Sequence, residues 1–242
     1  MLTLQDLLRT RTIQPQLNKA MYFNGTNAYI VVPTQLIDVR KPFSVMGWFN
    51  PSDIIGDRTL FEFYGATNSR VRFAIRNGNT AINEIFSPIT YNRFLWGSIK
   101  QIYVREWHHF VAIVNPTGST NNYQYIDGVL QFTGISDPTK WYQLSQPIKF
   151  TIAYPAYYCT WWYGLIAQVL VYSRLLSASE IIYNMLNPNN PIKDNLVLWL
   201  DARVCDTSKN ICWDLSGNNN HGTMYNVQIV SLSNPVRVGG SL

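Results

Sequence analysis

From residue 21 onward the chain alternates short apolar runs with clusters of Gly, Asn, Pro and Asp. Runs at 29–32, 43–49, 59–64, 71–75, 107–114, 123–126, 148–152 and 165–172 have the length and spacing of strands in a sandwich or barrel. Asp127-Gly128 separates 123–126 from 129–132. A type I′ turn needs positive φ at both central residues, so this pair predicts a tight hairpin. One later segment reads as helix: Ser177-Ala178-Ser179-Glu180 is a capping box, followed by apolar Ile181, Ile182 and Met185 and stopped by Asn187-Pro188. At the start, Thr3 to Arg9 can form a short helix with Thr3 as N-cap, bounded by Pro15. It reads either as a docking arm or as a loose terminus. After Pro188-Asn189-Asn190-Pro191 the chain resumes as an apolar strand, with Val197 and Trp199 expected on one face and Leu196, Leu198 and Leu200 on the other. Residues 187–242 are too few for a sandwich of their own and are expected to share the core of 21–186, leaving 1–20 as the arm.

Several of these runs carry motifs in a fixed order. Met21-Tyr22-Phe23-Asn24-Gly25 opens into a strand, and Phe43 to Phe49 places Trp48 in the next. Trp107-His108-His109-Phe110, then Tyr125-Ile126-Asp127-Gly128, then Tyr163 to Tyr172 with Arg174-Leu175-Leu176-Ser177 follow. Together they resemble the laminin G-like group of concanavalin A-like jelly rolls, a lectin- and glucanase-like family. The resemblance implies an all-β jelly-roll sandwich of two antiparallel sheets with one short helix near residues 177–186. It also implies a family used widely for adhesion. The departure lies at the end of the chain. Leu196 to Asp201, Trp213 to Asn218 and His221-Gly222-Thr223 resemble a segment that the family places before its Phe-Asp/Asn-Gly motif, and Val236 to Leu242 would lead into Met21. Either the chain is a circular permutant closing on itself, or this segment completes the sheet of a neighbouring copy.

Composition narrows the surface. Apolar residues make up 47% of the 242 residues and charged ones 14%, well below the roughly 25% usual in soluble domains. The surface must be built largely from Asn, Thr, Ser, Gln and Tyr, which suits a particle exterior, a polar ligand such as sugar, or contact with neighbours. The net charge of +5 comes from scattered Arg and Lys, without the basic stripe that phosphate neutralisation favours, so nucleic acid is not an expected partner. No run approaches a membrane span, and residues 1–15 carry Asp6, Arg9 and Arg11 where a signal peptide would be apolar. Cys205 and Cys212 bracket a short polar turn, so a hairpin disulfide is expected there, and Cys159 among aromatics reads as a buried thiol.

Candidate chemistry is sparse. Glycanases of similar fold use paired carboxylates, whereas Glu62, Glu84, Glu106 and Glu180 stand far apart in sequence, so no enzyme and no catalytic residue is expected. Adjacent His108 and His109 on a strand point to opposite faces and cannot share a metal. Asp201, Asp214 and Asn218 are the best oxygen donors for a Ca2+ ion, the competing reading being an Asx-type turn at Asp214 and Ser216. The richest surface chemistry is aromatic: Tyr157, Tyr158, Trp161, Trp162 and Tyr163 fall between two strands, where flat rings with polar tips suit sugar stacking, a protein interface, or a lid on the core. Tyr91, Phe94, Trp96 and Tyr103 form a smaller patch.

These features point first to a non-enzymatic surface or attachment protein of a virus or phage particle, self-associating or contacting other particle proteins and able to meet a glycan receptor. The alternative is a stand-alone, extracellular carbohydrate-binding lectin module, and a glycan hydrolase ranks behind both.

Overall fold

The computed structural model describes residues 17–66, 69–76, 80–87, 92–97, 102–154 and 160–232, without the side chains of 80 and 82–97. The expected helix at Thr3 and the tail from Val236 lie outside the described residues. The strands are β1 (Lys19–Asn24), β2 (Tyr29–Val32), β3 (Phe43–Pro51), β4 (Arg58–Gly65), β5 (Arg70–Arg76), β6 (Thr80–Ser87), β7 (Asn92–Gly97), β8 (His108–Val114), β9 (Asn121–Ile126), β10 (Val129–Ile135), β11 (Pro147–Ile152), β12 (Tyr163–Tyr172), β13 (Leu196–Asp206), β14 (Ile211–Asp214), β15 (Gly222–Tyr225) and β16 (Gln228–Ser231). Among the described residues two helices interrupt them, α1 (Pro138–Trp141) and α2 (Ala178–Leu186).

Hydrogen bonding runs through one antiparallel path, β10-β9-β8-β3-β12-β13-β14-β15-β2-β11-β4-β5-β6-β7, with β1 and β16 branching from β12. Folded over at the short β14 and β15, this path makes the two layers of a jelly-roll-like sandwich. Alternation along each strand fills the space between them. Phe43, Val45 and Phe49 of β3 and Phe110, Ala112 and Val114 of β8 meet Phe61 and Phe63 of β4, Phe73 of β5 and Phe150 of β11. Ring centroids across the layers lie 5.4 Å apart for Phe43 and Phe63 and 5.8 Å for Phe73 and Phe110. Gly47 makes room for this contact, since a Cβ there would sit 2.7 Å from the Phe61 ring.

The outer face of the first layer is covered. Ser177 and Glu180 exchange the two hydrogen bonds of the capping box, and α2 lays Ile181 over Met46, Leu170, Tyr172, Leu196 and Trp199. Asn184 fixes the strap that follows. Its amide donates to the Tyr172 hydroxyl (3.0 Å), its carbonyl accepts from the Ile192 N–H (2.8 Å), and the Tyr172 hydroxyl donates to the Ile192 carbonyl (2.9 Å). Leu196 and Trp199 face the helix while Leu198 and Leu200 enter the main core, with Val197 packed on the core side. The expected sharing of one face by Val197 and Trp199 is therefore wrong. A register shift, in which Tyr172 pairs with Leu196 and Val171 with Leu198, breaks the two-residue period at Val197.

In the single chain, β13 pairs with β12, β15 with β2 and β16 with β1. Cys205 stands opposite Cys212 on β13 and β14 and is bonded to it. Closing so short a loop should stabilise the fold by roughly 2–3 kcal/mol in the chain-entropy model. Alkylation of the unreduced, denatured protein should accordingly label Cys159 alone. Labelling of Cys205 or Cys212 before reduction would contradict the bridge.

Candidate carbohydrate-binding face

With the first layer capped by α2, the outer side of the second layer gathers polar and aromatic side chains. Inward Phe150, Ile152, Phe61, Phe63, Val71 and Phe73 force their strand neighbours outward. Register then aligns Thr223, Val31, Thr151, Glu62, Arg72 and Glu84 in one row across β15, β2, β11, β4, β5 and β6. Beside it, Lys149, Tyr64 and Arg70 form a second row, and Tyr29 stands opposite Tyr225. Thr151, Glu62 and Arg72 are each only 1% exposed, so polar groups are buried on the outward side of the sheet. The guanidinium of Arg72 lies 3.7 Å from Asp57, which also takes both hydrogen bonds of Arg76.

An aromatic corner closes one end of this face. Tyr29 stacks on Tyr225 at 4.5 Å with 9° between the rings, and meets Tyr154 at 4.9 Å and Trp161 at 5.5 Å. Tyr154 and Trp161 meet edge to face at 5.1 Å. Backbone geometry sets the corner. Ala153, at φ 65°, turns the chain out of β11 while its N–H donates to the Leu60 carbonyl and its own carbonyl receives the Trp162 N–H. Arg58, held by both oxygens of Asp53, donates to the Trp161 carbonyl at 2.6 Å. Burial, with Tyr225 and Tyr154 beside it, raises the Tyr29 hydroxyl above its ordinary range, so it remains a hydrogen-bond donor at neutral pH.

Of the aromatic residues singled out in the sequence, Trp161 joins this corner and is half-buried. Trp162 corrects the expectation of a contact residue. Just ahead of β12, its N–H donates to the Ala153 carbonyl, and its ring turns inward, where it is fully buried 5.6 Å from Phe49. Tyr163 pairs instead with Tyr22 at 6.4 Å. Tyr157, Tyr158, Tyr91 and the side chains of Phe94 and Trp96 lie outside the described residues. Tyr103 is exposed, and its backbone N–H donates to His108. Tyr29, Tyr64 and Tyr225 were missed because each reads alone as an ordinary strand aromatic, whereas Tyr154 opens the aromatic stretch 154–163 between two strands. The usable signal at Tyr29, Tyr64 and Tyr225 was parity, one position off the inward Ile30, Phe63 and Met224.

The proposed Ca2+ donors serve other partners. Asp201 accepts from the Arg203 N–H and guanidinium (2.9, 2.8 and 2.8 Å) and from Gln168. Asp214 accepts from the N–H groups of Trp199, Ser216 and Asn220 and from the Ser216 hydroxyl. Asn218 turns its amide N–H toward the Leu196 carbonyl. Asp214 is thus the hub of an Asx-type turn. Among the described residues no three His, Cys, Asp or Glu side chains converge on a metal site. His108 faces the core and bonds Asp127 at 3.0 Å. His109 faces out beside Trp48 at 4.8 Å, and burial lowers its pKa to about 4, leaving it neutral. Glu180 is held by Ser177 and Arg174.

The fold is an antiparallel β-sandwich of jelly-roll type. A family model described as the concanavalin A-like lectin/glucanases superfamily, of the laminin G group, matches residues 24–182, and the chain belongs to this family. No curated protein sequence gives a significant match. Among solved structures, the chain is similar to a presumed carbohydrate binding protein from Bacteroides ovatus (TM-score 0.65, 17% identity), covering 92% of this chain and 62% of that one. It thus spans less than two thirds of that protein's length. Domain 4 of an extracellular arabinanase from Geobacillus stearothermophilus, in complex with arabinotriose, is similar over 69% of this chain and 77% of its own (TM-score 0.55, 20% identity). The Ruminococcus gnavus sialidase module bound to α2,3 sialyllactose covers 70% of this chain and 98% of its own (TM-score 0.57, 10% identity). At these identities the likeness establishes the fold. Among the described residues no helix is long and apolar enough to cross a membrane.

Proposed function

We propose that this chain is a non-enzymatic glycan-recognition module, displayed on the surface of a virus or phage particle, and that it binds sugar at the aromatic corner on the outer side of its second layer. The observation that carries this reading is the corner of Tyr29, Tyr154, Trp161 and Tyr225, brought together from β2, the connection between β11 and β12, and β15. Rings with polar tips stack on the apolar faces of sugars, and the hydroxyls supply directional donors. Solved sugar complexes of similar fold support the reading, and the low charge content supports placement on a particle exterior. A non-catalytic role is supported by Glu62, which is sealed in a row with Arg72, and by Glu180, which caps a helix.

A glycan array with purified protein tests this. Trp161→Ala should keep the melting temperature near that of the parent while losing about 2 kcal/mol or more of binding. Trp162→Ala should cost about 3–5 kcal/mol of folding stability, as a buried Trp does. A folded parent that binds no glycan overturns the proposal. Absence of the chain from purified particles by mass spectrometry overturns the placement.

A further inference from the structure

The cations on this face are mostly neutralised. Arg58 is paired with Asp53, and Arg72 and Arg76 with Asp57. Lys149 differs. It is half-buried, its ammonium lies 4.8 Å from the Tyr64 ring centroid and 5.6 Å from that of Tyr154, and it makes no ion pair among the described residues. Two rings attract the ammonium and limit its rotamers, yet neither removes its positive charge. It therefore stands pre-positioned beside Tyr154, which itself touches Trp161 and Tyr29.

Resting on the glycan-binding reading, we infer that the face selects an acidic saccharide, one whose ring stacks at the Tyr154 and Trp161 corner while its carboxylate or sulfate pairs with Lys149. A neutral sugar would leave this ammonium with only the rings. An anion of the ligand gives it a charge-assisted partner with little further loss of side-chain entropy. The paired arginines are poorer candidates, because a ligand anion would have to displace Asp53 or Asp57.

The test is an array carrying neutral glycans, uronate- and sialate-bearing glycans and sulfated glycans, probed at low and high salt with the parent, Lys149→Gln, Lys149→Arg and Trp161→Ala. The expected result is that acidic members lead and weaken with salt. Lys149→Gln should lower their binding roughly tenfold, with Lys149→Arg restoring most of it. The carboxylate and sulfate arms identify which acid is preferred. Adhesion through net charge alone would survive Trp161→Ala, so acid binding that persists in that variant overturns the inference. So does equal binding of neutral and acidic members, or acid binding that Lys149→Gln leaves unchanged, and both leave the glycan-binding reading intact. Failure of the folded parent to bind any glycan removes that reading and the inference with it.

Discussion

Ending the chain at Lys193 should leave no soluble, cooperatively folded remnant. Residues 194–242 contribute Leu198, Leu200, Ala202, Cys212, Met224 and Val227 to the main core and Leu196 and Trp199 to the face beneath α2. Burying one large apolar side chain contributes roughly 1.5–3 kcal/mol, so losing this group outweighs the 5–15 kcal/mol typical of a whole domain. The loss is also topological. Without β13 the upper half of β12 has an open edge, without β15 the same is true of β2, and without β14 and β15 the strand ladder no longer runs from one layer into the other. Open apolar edges promote aggregation. Expression of residues 1–193 followed by a thermal melt checks this, and a soluble fragment with a single cooperative transition would show that the segment is an appendage.

What could be read from the sequence was what local chemistry dictates. Asp127 and Gly128 take φ 52° and 73°, as the hairpin turn requires, and the Ser177 and Glu180 capping box starts α2 where its pattern places it. The family motifs fixed the layering because they occur in order along the chain. The face itself was less legible, since Tyr29 and Tyr225 come together only through the pairing of β2 with β15, which are nearly 200 positions apart in the chain. Within the aromatic loop, composition marked Trp161 and Trp162 alike. Only the anchoring of Thr160 and Trp162 to the backbone of Asp57 and Ala153 decides which ring turns inward. The bulge at Val197 was equally invisible, because the apolar run from Leu196 to Leu200 has no polar position to mark a face. The short α1 did carry a signal that went unread: Asp137 accepts from the Thr139 N–H as N-cap, with Pro138 in the first turn.

A permuted chain, beginning at Asp194, running to Leu232 and joined there to Asn18, should fold into the same sandwich. The two ends to be joined are already neighbours. β16 runs antiparallel to β1 with Ser231 opposite Lys19, and the Leu232 N–H donates to the Asn18 carbonyl at 2.9 Å. A two-residue Asn-Gly link at this point would therefore make an ordinary hairpin, whose type I′ geometry matches the twist of the strands. The new break falls between Lys193 and Asp194, after the Ile192 contacts with Asn184 and Tyr172, so the strap over the first layer keeps its anchor on the α2 side. The cost is the connection from α2 into β13, including the backbone bond from Leu196 to the Lys193 carbonyl. That is about one hydrogen bond, worth roughly 1 kcal/mol net, set against the gain of a short covalent hairpin where β1 and β16 now meet without one. Thermal melting compares the two stabilities, and size-exclusion chromatography with light scattering decides how the parent closes. If β13 to β16 pair within their own chain, both proteins run as monomers. If the parent instead exchanges this segment with a neighbour, it runs as an oligomer and the permutant, with its strands covalently joined in the hairpin, as a monomer. A parent that folds alongside a permutant that cannot would mean that β16 does not pair with β1.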